Sequence, residues 1–257
     1  MSSATGQRAV PHERPEAVSG TTVQSETRTA AAVRLDPRSS ALVFDWGGVL
    51  TAPLSESTAE WMRASSIDPQ HWRAVLIGWR DQEASGAAPS PVHQLERGEL
   101  PVPEFEAQLA GALAAHGTQV EPAGLLDGML AGLSDLMPDM IAMIRDARAA
   151  GARTALLSNS WGEHYQDALW DNLFDVVVIS GRLGMRKPEE QIFAHTVDLL
   201  GLPAGQCVMI DDMRVNIQAA QRFGMLGILH VDTTSTIAEV HRMFGLAGDT
   251  AGSAATD

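Results

Sequence analysis

Five short apolar runs constrain this chain more than any other feature: Ala41–Phe44, Thr154–Leu157, Val176–Ile179, Cys207–Ile210 and Gly227–Val231. Each reads as a buried strand. Helical patterns precede three of the last four. Pro138 opens one, with Met137, Ile141 and Ile144 on a face and Gly151 closing it; Pro188 opens another, with Phe193, Val197 and Leu200 before Gly201. The segment from Val215 to Phe223 supplies a third. Strands alternating with helices predict an α/β fold, a Rossmann-like parallel sheet with helices on both faces and right-handed crossovers.

The gap between the first two runs breaks that rhythm. About a hundred residues lie there, where a crossover needs only a dozen or so. Ser57–Ala64 carries Trp61; Pro69–Arg80 carries Trp72, Val75, Leu76 and Trp79; Pro103–His116 carries Phe105, Leu109 and Leu113. These patterns predict a helical cap inserted after the first strand, with tryptophans that read as cap core rather than ligand stackers. The expected organisation is a core of residues 37–52 and 136–245 around a cap of residues 53–135. Residues 1–36, rich in Ser, Thr, Ala, Pro and charge without a period, read as a disordered leader, and residues 246–257 as a flexible tail.

Composition narrows the function classes. With 257 residues, 45% of them hydrophobic, the chain can bury one sizeable core and a smaller module beside it. Its formal net charge of −14, with no cluster of Lys or Arg, argues against polynucleotide binding. The lone Cys207 sits in an apolar run and reads as a buried thiol. No run of eighteen apolar residues and no signal-peptide pattern is present, so a cytoplasmic protein without membrane attachment is expected, as a monomer or homodimer.

In an open parallel sheet, ligands bind beyond the carboxyl ends of the strands. The first run ends in Asp45-Trp46-Gly47-Gly48, a carboxylate followed by glycines that allow a tight turn. The second ends in Ser158-Asn159, a hydroxyl and an amide. Lys187 stands after the third, just before Pro188, and the fourth ends in Asp211-Asp212 with Asn216 beyond. One crevice would thus receive three carboxylates, a hydroxyl and an ammonium. Carboxylates crowded in this way repel one another unless a hard cation joins them, and Mg²⁺ accepts one or two carboxylates together with water and phosphate oxygens. Lys187 and Ser158 would hold the remaining phosphate oxygens, while Asp45 attacks phosphorus.

From about Ala41 to His230 this set of motifs resembles the haloacid dehalogenase-like (HAD) superfamily. The helical insert, the Asp211-Asp212 form of the fourth motif and the stretch Gln94-Leu95-Glu96-Arg97-Gly98-Glu99-Leu100, followed by Glu104-Phe105, look like the subgroup containing the N-terminal phosphatase domain of soluble epoxide hydrolases. The resemblance implies that Asp45 is nucleophile and metal ligand, and that Ser158, Asn159 and Lys187 bind the phosphoryl group. It also implies that Asp212 is a metal ligand assisted by Asp211, and that Asn216 positions the pair. The expected reaction is Mg²⁺-dependent hydrolysis of a small phosphorylated metabolite through an aspartyl-phosphate.

One position departs from the family pattern. Where its phosphatases usually carry a second Asp as general acid and base, this chain has Gly47, which keeps the backbone carbonyl that contacts the metal but cannot transfer a proton. Proton transfer of this kind contributes about 10²- to 10⁴-fold in rate. A cap residue or water could supply the proton, or the leaving group could need little help. Two other readings stand beside the phosphatase: a carbon–halogen hydrolase using the same Asp without metal, and a catalytically weak binding protein. His71, His93, His116, His164 and His195 show no metal-ligand spacing and read as surface or packing residues, with His164, near Ser158, the one to test as a proton donor.

Overall fold

The computed structural model describes residues 33–133, 135–162, 170 and 172–246. Strands β1 (Ala41–Phe44), β2 (Arg153–Ser158), β3 (Val176–Ile179), β4 (Cys207–Asp211) and β5 (Leu226–Leu229) form one parallel sheet in the order β3-β2-β1-β4-β5. Between β1 and β2 lie helices α1 (Leu54–Ala64), α2 (Pro69–Ala84), α3 (Pro91–Glu96), α4 (Val102–Ala115), α5 (Asp127–Ala131) and α6 (Pro138–Ala149). Helices α7 (Glu190–Leu200), α8 (Arg214–Phe223) and α9 (Thr233–Phe244) follow later strands.

The period of two in the central strand explains the layers. Leu42 and Phe44 point to one face, where Leu156, Val208 and Ile210 join them under Met140 and Ile144 of α6 and Val240 and Met243 of α9. Ala41 and Val43 point to the other, against Ala155, Leu157 and Met209 and under Phe193 of α7 and Ile217 of α8. Ala41 pairs with Arg153 on one side and Cys207 on the other, so the three central strands begin level, and β2 and β4 run on past the partners of Phe44 to Ser158 and Asp211.

Helices α1 to α5 make a core of their own around Trp61, Phe105, Leu109 and Leu113, all essentially buried. The tryptophan reading of the cap therefore holds for Trp61 and Trp79, which pack edge-on against Trp72 and Phe105 respectively. Entry to this insert and exit from it lie side by side, since Met137 N donates to Leu50 O at 2.8 Å and Thr51 bridges Leu136.

Several boundaries differ from the sequence expectation. Strand β5 stops at Leu229 and leaves Val231 77% exposed, because β4 ends at Asp211 and offers no partner further on. Pro188 does not open α7; residues 186 to 189 form a turn in which Glu189 N donates to Arg186 O at 2.8 Å, and the helix begins at Glu190. Helices α3 and α5 are too short to show a period, and α9 was not anticipated although Asp232 caps it through Ser235 N at 2.8 Å. Val33 and Leu35, assigned above to the leader, pack on the core, and Leu35 N donates to Met243 O at 2.8 Å. Residues 1–32 of the leader, the tail beyond Leu246 and His164 lie outside the described residues. No helix among the described residues is long and apolar enough to cross a membrane.

Candidate active site

The strand order reverses between β1 and β4, and the crevice at such a reversal is where a parallel sheet presents its ligand site. Asp45 extends the end of β1, its N–H donating to Ile210 O at 2.9 Å, and Asp211 closes β4 one strand away. The chain then turns through Gly47 and Gly48. At Gly48 φ is +76°, and a Cβ would stand 2.7 Å from Asp212 Oδ2, so only glycine lets the turn pass the second carboxylate.

Lys187 ties the carboxylates together. Its Nζ lies 2.8 Å from Asp45 Oδ1 and 2.7 Å from Asp211 Oδ2, with the lysine 1% exposed. Asp211 is fully buried and saturated further: Asn216 Nδ2 donates to both of its oxygens at 3.0 and 3.1 Å, and Met213 N donates to Oδ1 at 2.8 Å. Asn159 holds the lysine from behind, its Oδ1 accepting from Lys187 N at 2.8 Å and its Nδ2 donating to Lys187 O at 3.0 Å. Trp46 N donates to Asp45 Oδ1 at 2.7 Å, and among the described residues none donates to Asp45 Oδ2. Ser158, at the end of β2, is buried and lines the same cavity as Asp45 and Lys187.

Burial pushes the Asp45 carboxyl up to about 7; Lys187 pulls it down, and the charge of Asp211 adds to the rise. Burial also disfavours the charge on Lys187, but Asp211 and Asp45 outweigh that and hold its pKa above the usual lysine value. Asp212 is raised as well, by burial first and then by Asp211. The site thus has an excess of negative charge that its single ammonium does not neutralise.

Two observations fit these residues to a divalent cation. One oxygen from each of Asp45, Asp211 and Asp212 lies within 4.8 Å of the others. Asp212 Oδ1 is buried without a hydrogen-bond partner, a state that is expensive for a carboxylate oxygen unless a cation faces it. Asp211, whose oxygens are already engaged by Asn216, Lys187 and Met213, is the less available of the pair, and Asn216 bonds to Asp211 rather than bridging both.

A cavity of about 420 Å³ opens from Asp45 and Lys187 up to the insert. The structure therefore brings Asp45, Gly47, Ser158, Asn159, Lys187 and Asn216 to one wall, with Asp211 and Asp212 against Asp45. Sequence reasoning missed the far wall. His93 of α3 lines it, its Nδ1 2.5 Å from Glu83 Oε2, whereas His71 and His116 stack on each other in the insert, 6.1 Å between ring centres. Glu96 of α3 pairs with Arg186, next to the lysine, and Arg97 pairs with Glu189. Ser180 Oγ donates to Glu96 O, and a Cβ at Gly98, where φ is +71°, would stand 2.3 Å from Gly181 O. The stretch around Glu96 and Gly98 marked a family likeness in the sequence, but nothing local showed that it docks on the lysine loop.

A family model described as haloacid dehalogenase-like hydrolase matches residues 40–224. The chain is 26% identical over 162 residues to a sesquiterpene phosphatase of Aspergillus oryzae, covering 59% of this chain and 78% of that protein. It is 27% identical over 218 residues to bifunctional epoxide hydrolase 2 of Mus musculus, covering 79% of this chain but only 38% of that longer protein. Among solved structures, a HAD-like family hydrolase from Porphyromonas gingivalis aligns with a TM-score of 0.56 at 22% identity, covering 80% of this chain and 98% of that one.

Proposed function

Since this chain belongs to the haloacid dehalogenase-like hydrolase family, we propose that it is a Mg²⁺-dependent phosphatase that hydrolyses a small phosphomonoester through an aspartyl-phosphate on Asp45. The observation that carries this reading is the buried, unpartnered Asp212 Oδ1 beside Asp45, in a cluster with more carboxylates than cations. The relative named as a sesquiterpene phosphatase supports the reaction class.

Asp45, the Gly47 carbonyl and Asp212 would hold the metal, with Asp211 assisting. When bound, Mg²⁺ offsets the repulsion between carboxylate and phosphate and polarises a phosphoryl oxygen. Lys187 fixes Asp45 through Oδ1 and leaves Oδ2 for attack. That oxygen bonds to phosphorus, the bond from phosphorus to the substrate's alcohol oxygen breaks, and the alkoxide takes a proton from water, because Gly47 has none to give. The hydroxide left behind takes a proton from a second water as that water attacks phosphorus, and the carboxylate leaves as Asp45 is restored. Ser158 and Lys187 bind phosphoryl oxygens through both steps, and Asn159, gripping Lys187 on both sides of its peptide, keeps the ammonium in place. The insert of residues 53–135 covers the reacting end, excludes bulk water and selects the leaving group.

Carbon–halogen hydrolysis would need no cation and would leave Asp212 Oδ1 unpaired beside an anionic substrate, so it is the weaker reading. Release of inorganic phosphate from a panel of phosphomonoesters, with and without Mg²⁺, for wild type and Asp45→Asn, tests the proposal. Mg²⁺-dependent turnover that the substitution abolishes is expected; turnover without metal, or none on any compound, overturns it.

A further inference from the structure

The cavity has two unlike ends. At the sheet it is ionic, as described. Away from Asp45 its wall is built from Leu54, Trp72, Leu76, Val92, Leu130 and Trp161, drawn from α1, α2, α3 and α5 and from the loop after β2. Apolar surface dominates the lining. Among the described residues there, the polar side chains are Thr58, His93, Glu96 and Arg186. Three of these already have polar partners, His93 in Glu83 and Glu96 and Arg186 in each other.

That distribution decides what the leaving group can be. A sugar or nucleoside carries a hydroxyl or ring heteroatom on nearly every carbon, and each would lose its water against indole and aliphatic surface with few donors or acceptors in return. An apolar alcohol loses nothing on entering and removes that surface from water. The volume, about 420 Å³, falls in the range of small-molecule sites. Resting on the phosphatase reading, we infer that the substrate is the phosphate monoester of an apolar alcohol, with its hydrocarbon chain in the insert and its phosphate at Asp45. Leu76, partly buried in α2 and facing the cavity, is a specificity-determining residue of that wall.

The test uses n-alkyl phosphates of increasing length as substrates and as competitors of acetyl phosphate, whose small activated leaving group reads the reaction without the wall. Each methylene that enters is expected to lower the competitor's inhibition constant roughly fourfold until the cavity is full. Glucose 6-phosphate and glycerol phosphate should compete no better than inorganic phosphate. Leu76→Gln should flatten the dependence on length and Leu76→Met should retain it, with both variants melting as cooperatively as wild type. A flat dependence in the wild type, or tighter binding of the sugar phosphate, overturns the inference while Mg²⁺-dependent hydrolysis of acetyl phosphate keeps the phosphatase reading. If neither acetyl phosphate nor any alkyl phosphate is hydrolysed, the phosphatase reading falls, and the same ligands titrated against tryptophan fluorescence still show whether the wall takes hydrocarbon.

Discussion

The floor and the roof of the cavity are made in opposite ways. The floor collects Asp45, Ser158 and Asp211 from the ends of neighbouring strands, where apolar runs close, and Lys187 from the loop between β3 and α7. The roof gathers Leu54, Trp72, Val92 and Leu130 from four helices, the last three belonging to the insert's own core or packed against it. Ionic groups at fixed strand ends suit a constant reaction, and an apolar surface built across several helices suits an adjustable leaving group. The comparison predicts that changes to the floor alter rate and stability for every substrate, whereas changes to the roof alter only their ranking.

The largest effect should come from Asp45→Asn, which is expected to lower phosphate release by about 10⁴-fold or more while alkyl phosphates still bind, as stopped assays and fluorescence titration would show. Persisting turnover would break the division between floor and roof. Next is Lys187→Met. It leaves the Asp45 and Asp211 carboxylates buried without their cation and should destabilise the metal-free fold by about 3–5 kcal/mol in urea unfolding. A variant as stable as the parent would show that the ammonium is not what holds the floor together.

Gly47→Asp sharpens the comparison from the other side. A Cβ there would meet Leu54 Cδ2 at 3.1 Å, a movable side-chain tip, so the turn should accept the substitution. An added proton donor should raise turnover of alkyl phosphates by up to about 10²-fold and leave acetyl phosphate nearly unchanged, because only the former has a poor leaving group. Equal effects on both would mean that protonation does not limit the reaction.

The acidity of the floor gives a smaller signal. Burial raises Asp45 in the fold to about 7 from an ordinary carboxylate value, so the native metal-free state holds a proton that the unfolded chain has already lost. Its contribution to stability is present at low pH and is lost as pH rises through about 7. The melting temperature of the chelated wild type should therefore fall, relative to Asp45→Asn, between about pH 4 and 7, and Mg²⁺ should raise it more above pH 7 than below pH 5. The smallest effect belongs to Cys207, at the opposite end of β4 from Asp211. Burial pushes its thiol up to about 11, so an alkylating reagent should label it only on unfolding and leave turnover unchanged.

The same contrast explains what was legible in the sequence. Strands β1 and β3 fall where their apolar runs placed them, and Asp45, Ser158 and Asp211 were readable because each closes or directly follows its strand, whereas Lys187 stands further on, in the loop between β3 and α7. The binding of Asn216 to Asp211 alone, and the two-way grip of Asn159 on Lys187, depend on turn geometry that residue types do not specify. The roof was legible only as helices: Trp61 and Trp72 carry similar periodic signals, yet one is buried in the insert core and the other reaches the cavity. His93 and the pairing of Glu96 with Arg186 join residues that are far apart in the chain, and no local pattern announces such a pairing.

Helix α3 is six residues long and belongs by connectivity to the insert, yet Arg186 and Glu189, the ionic partners of its last residue, Glu96, and of its cap, Arg97, bracket Lys187. Transplanting the insert onto a related sheet would therefore fail if its ends were cut by sequence order alone. The graft has to carry α3 and Gly98 together with residues 180 to 189 as one piece, so the natural unit of exchange in this molecule is a docking joint rather than a contiguous stretch of chain.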